Sequence, residues 1–491
     1  MTEQKPINQW KTLDKDLNRI NLLEQATHYV GRPLVAPGIA LCFIALVTLA
    51  ATVIVGQSAS SLIIIAAAAF GAYMALNIGA NDVANNMGPA VGANALTLGG
   101  ALIIAAVCET AGALLAGGDV VGTISGGIVD PASVADAGVF IWAMMSALIA
   151  AALWINLATV IGAPVSTTHS VVGGVMGAGI AAAGVAAVNW PMMGRIAASW
   201  IISPVMGGVI AALFLAFIKA RIIYQDDKIA AARRWVPVLI GIMAGSFATY
   251  LAIKGLNRII SVQLGTALLI GLGFALVTQL AVTPVIRRQS EGMENRKKSL
   301  KKLFSIPLVL SAALLSFAHG ANDVANAVGP LAAIVHAVNS GDVAARVVIP
   351  LWVMIIGAMG LSFGLVLFGP KLIRMVGSQI TKLNPMRAYC VSLAAAITVI
   401  VASWLGLPVS STHIAVGAIF GVGFFREWHA ERRARQLGIT KGKPVAPEER
   451  RRRKLVRRSH FMTIVAAWVV TVPAAAFLSG AVFVAISLIA G

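Results

Sequence analysis

The sequence predicts an all-α polytopic membrane protein of about 12–13 transmembrane segments. It predicts an inverted-topology repeat with broken or re-entrant helices. Three observations lead there. Long apolar runs fill the chain, two polar motifs each occur twice in the same order, and loop charges reverse between the copies.

The apolar runs come first. The 491 residues are 58% hydrophobic and 12% charged, whereas soluble domains carry about 25% charged residues. A span takes about 20 consecutive, mostly apolar residues. Thirteen segments fit, roughly 33–56, 60–78, 92–117, 138–161, 164–187, 195–218, 236–253, 264–285, 303–318, 345–368, 388–405, 408–424 and 461–490. A transmembrane β-barrel would show alternating segments of about ten residues instead. The first run starts near Pro33 and is too long for the apolar core of a cleaved signal peptide. Residues 1–32 are expected to form a cytoplasmic tail and 33–56 an extra N-terminal span. Cys42, Cys108 and Cys390 lie far apart in apolar runs, which supplies no disulfide or metal framework.

The formal charge of +19 is concentrated. Thirteen of the 38 basic residues lie between Arg426 and Arg458, and seven lie between Arg287 and Lys302. Both stretches connect spans, where basic residues mark cytoplasmic loops and suit contact with anionic lipid headgroups. That distribution argues against nucleic acid as a partner.

The repeated motifs come second. "GANDVANNMGPA" at 79–90 returns as "GANDVANAVGPL" at 320–331, and "GAPVSTTHSVVGG" at 162–174 returns as "GLPVSSTHIAVGA" at 406–418. Two motifs in one order at near-equal spacing imply two structural halves. The expected organisation is a transport repeat over 57–218, connecting spans with basic loops over 219–302, and a second repeat over 303–491 with a basic loop at 425–460.

Loop charges come third. The loop at 118–137 has no Lys or Arg, whereas its counterpart at 369–387 has Lys371, Arg374, Lys382 and Arg387. The uncharged turn before the first copy corresponds to the seven basic residues before the second. The connection after "PVSTTH" has only Arg195, near its end, where the later copy has thirteen basic residues. The copies are therefore antiparallel, the arrangement of secondary transporters with midplane sites. The expected location is the cytoplasmic (inner) membrane, with the N-terminus inside and the C-terminus outside.

Glycine, asparagine, aspartate and proline weaken helices, so the "GAND" segments are expected to be broken. An aspartate at membrane depth costs about 2.5–3.5 kcal/mol, so Asp82 and Asp323 call for a partner or a function. Asn81, Asn85, Asn322 and Asn326 add amide donors and acceptors. In "PVSTTH" and "PVSSTH" the proline and hydroxyls suit a helix start. Ser166, Thr167, Thr168, Ser410, Ser411 and Thr412 then stand beside free backbone N–H groups, an anion site. No Lys or Arg occurs in the four motifs. An anion beside two aspartates requires a cation to accompany it, either Na⁺ or a proton. Duplication argues against a Ser–His hydrolase, and an anion channel is a further alternative.

Paired "GANDVANA"-type motifs in an inverted repeat resemble the inorganic phosphate transporter family, the sodium- or proton-coupled phosphate permeases. The resemblance runs from about residue 60 to the C-terminus. It implies phosphate near the six hydroxyls and near Asn81 and Asn322, with the cation, as Na⁺ at Asp82 and Asp323, also touching Asn85 and Asn326. It implies homodimers and no organic cofactor. A sulfate or related oxyanion permease of the same fold is the nearest rival. Glu109, inside a span, has no acidic counterpart, since no Asp or Glu occurs from 343 to 426. Glu109, His169 and His413 are candidates for an ion or proton path. His319 stands where the first copy has Ile78, so no symmetric role is expected for it.

Overall fold

The computed structural model describes residues 34–490 apart from 57, 131–132, 135, 162–164, 256–259, 345–346, 380–382 and 437–457. The expected N-terminal tail and most of the last basic loop lie outside the described residues.

Each expected apolar segment contains a helix among the described residues. The helices are α1 (Leu34–Val55), α2 (Ala59–Gly92), α3 (Leu98–Ala116), α4 (Gly118–Gly126), α5 (Ala137–Ile161), α6 (Thr167–Ala183) and α7 (Trp190–Ile218). There follow α8 (Lys228–Lys254), α9 (Leu264–Gln289), α10 (Lys297–Leu303), α11 (Ser305–Ser340), α12 (Leu351–Gln379), α13 (Pro385–Trp404), α14 (Ser411–Gln436) and α15 (Arg458–Ala490). Among the described residues eleven helices are long and apolar enough to cross a membrane. The other two expected segments are α6, which has 17 residues, and α14, whose second half turns basic. Among the described residues there is no strand, only an isolated bridge between Val129 and Val188.

The expected break at the "GAND" motifs is corrected by the structure. Helix α2 runs unbroken through 79–90 and α11 runs unbroken through 320–331. The glycines serve close approach instead. A Cβ at Gly79 would overlap the Leu361 carbonyl of α12, and one at Gly320 would overlap the Glu109 carbonyl of α3. Pro89 and Pro330 sit inside the helices. Lacking an N–H, each leaves the carbonyl four residues back without its usual helix donor. Those carbonyls belong to Asn85 and Asn326. The helices are interrupted elsewhere: α5 ends at Ile161 and α6 starts at Thr167, α13 ends at Trp404 and α14 starts at Ser411, and each pair packs together.

The copies interlock. Helix α2 packs on α12 of the second copy, and α11 packs on α3 of the first. In the same way α6 packs on α15, and α14 on α7. Each hydroxyl-tipped helix therefore lies against the last helix of the other copy. The α8–α9 hairpin packs beside this assembly, with a row of α9 leucines exposed, as suits a lipid-facing surface.

Candidate functional site

The two motif helices cross near their Asp and Asn residues, and the tips of α6 and α14 meet them there. Ser166 and Ser410 make those tips. Each Oγ accepts the N–H three residues on, from His169 at 3.1 Å and from His413 at 3.3 Å. These are N-caps, so two of the six hydroxyls expected at phosphate are engaged with their own helices.

The next residues face the carboxylates. Thr167 donates to Asp82 Oδ2 at 2.9 Å, and Ser411 donates to Asp323 Oδ2 at 3.2 Å. These bonds lie within a copy. The asparagines reach across. Asn85 donates to Thr412 at 2.7 Å, and Asn326 donates to Thr168 at 3.2 Å. The symmetry ends at the threonine protons. Thr412 gives its proton to Asp82 Oδ1 at 3.0 Å, while Thr168 gives its proton to the Val409 carbonyl at 3.0 Å.

Asn81 and Asn322 are placed one residue before the carboxylates but act as tethers here. Asn81 donates to Thr159 and Asn322 to Ser403, each at 3.0 Å. Asn322 also donates to the Leu407 carbonyl at 3.3 Å and accepts the Val409 N–H at 3.3 Å. It thereby pins the turn that leads into α14.

His319 sits at the centre, and the sequence reading passed over it. Its Nε2 lies 2.8 Å from Asp323 Oδ2 and 3.8 Å from Asp82 Oδ2, and its Nδ1 lies 3.2 Å from Glu109 Oε1. One ring therefore touches all three buried carboxylates. Its spacing of four residues from Asp323 puts both on one helix face, a signal already present in the sequence. Glu109 also accepts from Asn86 Nδ2 at 3.0 Å. His169 and His413 stack edge to face at a centroid separation of 4.5 Å, with Trp200 packed 3.8 Å from His169. They join the two helix tips behind the hydroxyls.

The site is rich in oxygen and poor in fixed positive charge. No Lys or Arg is buried among the described residues. Asp323 Oδ1 and Asn326 Oδ1 are buried without a hydrogen-bond partner. Asp82, His319 and Asp323 offer ligand atoms within 4.8 Å of one another. Carboxylate and amide oxygens are hard donors that suit an alkali or alkaline-earth cation. A buried negative charge without such a partner is strongly disfavoured.

The sequence profile of the Phosphate transporter family matches residues 78–479. A Helicobacter pylori protein named "Putative phosphate permease" is 43% identical over 96% of this chain and 99% of its own length. A Pyrococcus furiosus protein of the same designation is 36% identical over 86% of this chain and 95% of its own. A solved structure titled "The sodium-dependent phosphate transporter" matches with a TM-score of 0.77 and 36% identity, covering 87% of this chain and 100% of that one. On these matches the chain belongs to the phosphate transporter family.

Proposed function

We propose that the chain imports inorganic phosphate by symport with a cation, alternating access around the site between Asp82 and Asp323. Its family makes it a transporter rather than an enzyme. The observation that carries the symport reading is the charge balance. Two aspartates bonded to the hydroxyl-tipped helices, a third carboxylate at Glu109 and one central histidine make up the site, and among the described residues no arginine or lysine is buried to receive an anion. Phosphate then needs positive charge that arrives with it.

In this reading Na⁺ is held by Asp82, Asp323, Asn85 and Asn326, whose oxygens supply hard ligands. Phosphate lies at the α6 and α14 tips, where Thr167, Thr168, Ser411 and Thr412 add hydroxyls to free backbone N–H groups. Ser166 and Ser410 shape those tips as caps, and Asn81 and Asn322 hold the motif helices to them. When the helices rock, the hydroxyls exchange carboxylate partners for substrate oxygens. A neighbour titled as sodium-dependent supports Na⁺.

A second reading, proton coupling, is favoured by one observation. His319 contacts Asp82, Asp323 and Glu109 together, so a proton on it serves all three. Loop charge supports an N-terminus inside, a C-terminus outside and anionic lipid along the basic loops.

Uptake of labelled phosphate into proteoliposomes decides between the readings. An inward Na⁺ gradient alone should drive accumulation. Accumulation on a pH gradient alone replaces Na⁺ by H⁺, and accumulation on neither gradient overturns symport. Labelled sulfate in the same vesicles tests the substrate.

A further inference from the structure

Helix α8 belongs to neither copy of the repeat, yet its last residue ties the copies together. Lys254 forms an ion pair with Asp119 of α4, in the first copy. Lys254 Nζ also donates to the Trp404 carbonyl, at the end of α13 in the second copy, at 3.4 Å. One helical turn along α4 from Asp119, Thr123 donates to the Gly406 carbonyl at 2.7 Å. Gly406 has φ +66, a backbone that side chains rarely adopt, so the turn has a defined shape for these groups to grip.

That turn leads into the site. Leu407 and Val409 hold Asn322 through the carbonyl and the N–H, and the Val409 carbonyl accepts from Thr168. A displacement of residues 404–410 therefore moves groups on α11 and on the tip of α6. The contacts lie at the ends of helices opposite the basic loops, the face that loop charge assigns to the outside. Asp119 is 49% exposed and Lys254 15%. Ion pairs so placed contribute little, about 0–1 kcal/mol, which suits a contact that must break in every transport cycle.

We propose that Lys254 and Asp119 form a positioning latch that holds the 404–410 turn, and with it the α14 tip, closed toward the outer face. Breaking the pair frees the turn and opens the site outward. The proposal rests on the alternating-access reading above.

The test uses the full-length chain in right-side-out cells, with Cys42, Cys108 and Cys390 replaced by serine and Val409→Cys introduced. Val409 is fully buried, so a charged, membrane-impermeant maleimide reaches Cys at this position only when the outer face opens. Lys254→Gln and Asp119→Asn should each speed labelling by up to about fivefold, the factor an exposed ion pair can supply. The exchanged pair, Asp119→Lys with Lys254→Asp, should restore slow labelling. Parental labelling rates in both single variants, or fast labelling in the exchanged pair, overturn the latch. If the charge variants fail to reach the membrane, Thr123→Val removes the adjacent bond to Gly406 without changing charge. Faster labelling there supports the latch and an unchanged rate overturns it. Labelling needs neither phosphate nor a cation gradient, so failure of the latch and failure of the symport reading are separately visible.

Discussion

Asn85 donates to Thr412 at 2.7 Å, and the two residues are 327 positions apart in the chain. Asn326 makes the mirrored bond to Thr168 at 3.2 Å. Each copy's asparagine therefore holds the other copy's helix tip, while each aspartate accepts from a hydroxyl of its own copy. A site wired this way is built by both halves together.

Asp82→Asn and Asp323→Asn should each abolish concentrative phosphate uptake. Removing a charged partner from a buried network costs about 1.5–3 kcal/mol, or roughly 10- to 100-fold in apparent affinity. Proteoliposome uptake at several Na⁺ concentrations measures it. Wild-type accumulation in either variant sinks the cation-site assignment.

Thr412 accepts from Asn85 and donates to Asp82. Thr412→Val keeps the shape and removes both bonds, one neutral and one to a carboxylate, so the KM for phosphate should rise by about tenfold or more. Thr412→Ser should stay close to wild type. Equal losses in the two variants would point to packing rather than to the hydroxyl.

His319→Gln keeps a polar side chain in place of the central ring but removes its titration. If Na⁺ is the coupling ion, uptake should still respond to a Na⁺ gradient, and its pH profile should be flatter than that of the wild type. Retention of the Na⁺ response with an unchanged pH profile would remove His319 from proton handling. Loss of gradient-driven uptake at every pH would favour the proton reading.

Gly79 and Gly320 are tests of packing rather than of chemistry. A methyl at either position meets a backbone carbonyl of the neighbouring helix, and carbonyls in packed helices have little room to yield. Gly79→Ala and Gly320→Ala should each destabilise by about 1–3 kcal/mol, read as a lower melting temperature in detergent. A melting temperature equal to wild type would show that the helices separate without cost.

Much of this molecule was legible in one dimension. Apolar length announced the spans, because a bilayer accepts only segments long enough to bury their backbone. Repetition of "GAND" and "PVS-TH" announced two halves, and loop charge gave their opposite orientation. The residue types announced a donor-rich site in want of a cation. Asp82, Asp323, Thr167, Thr168, Ser411, Thr412, Asn85 and Asn326 are brought together as those motifs suggested.

Other features were misread for identifiable reasons. Isolated propensity makes glycine and proline helix breakers. In α2 and α11 the surrounding helices supply the packing that keeps the backbone helical, and the glycines let them come close. His319 lacked a counterpart in the first copy, and symmetry was the guide. Its role depends on a centre where Glu109, Asp82 and Asp323 converge, and only one of the three belongs to its own helix. Asn81 and Asn322 share the motif with the carboxylates, but a step of one residue turns them around the helix toward α5 and α13.

The sequence by itself determined the membrane class, the duplication and the kinds of groups available, because hydrophobic length and residue chemistry are local properties. Only the tertiary structure decided which aspartate meets which hydroxyl, that the asparagines cross between copies, and that one histidine joins three carboxylates. Those pairings depend on how two interlocked halves approach within hydrogen-bond distance, and no local rule specifies contacts between groups hundreds of residues apart.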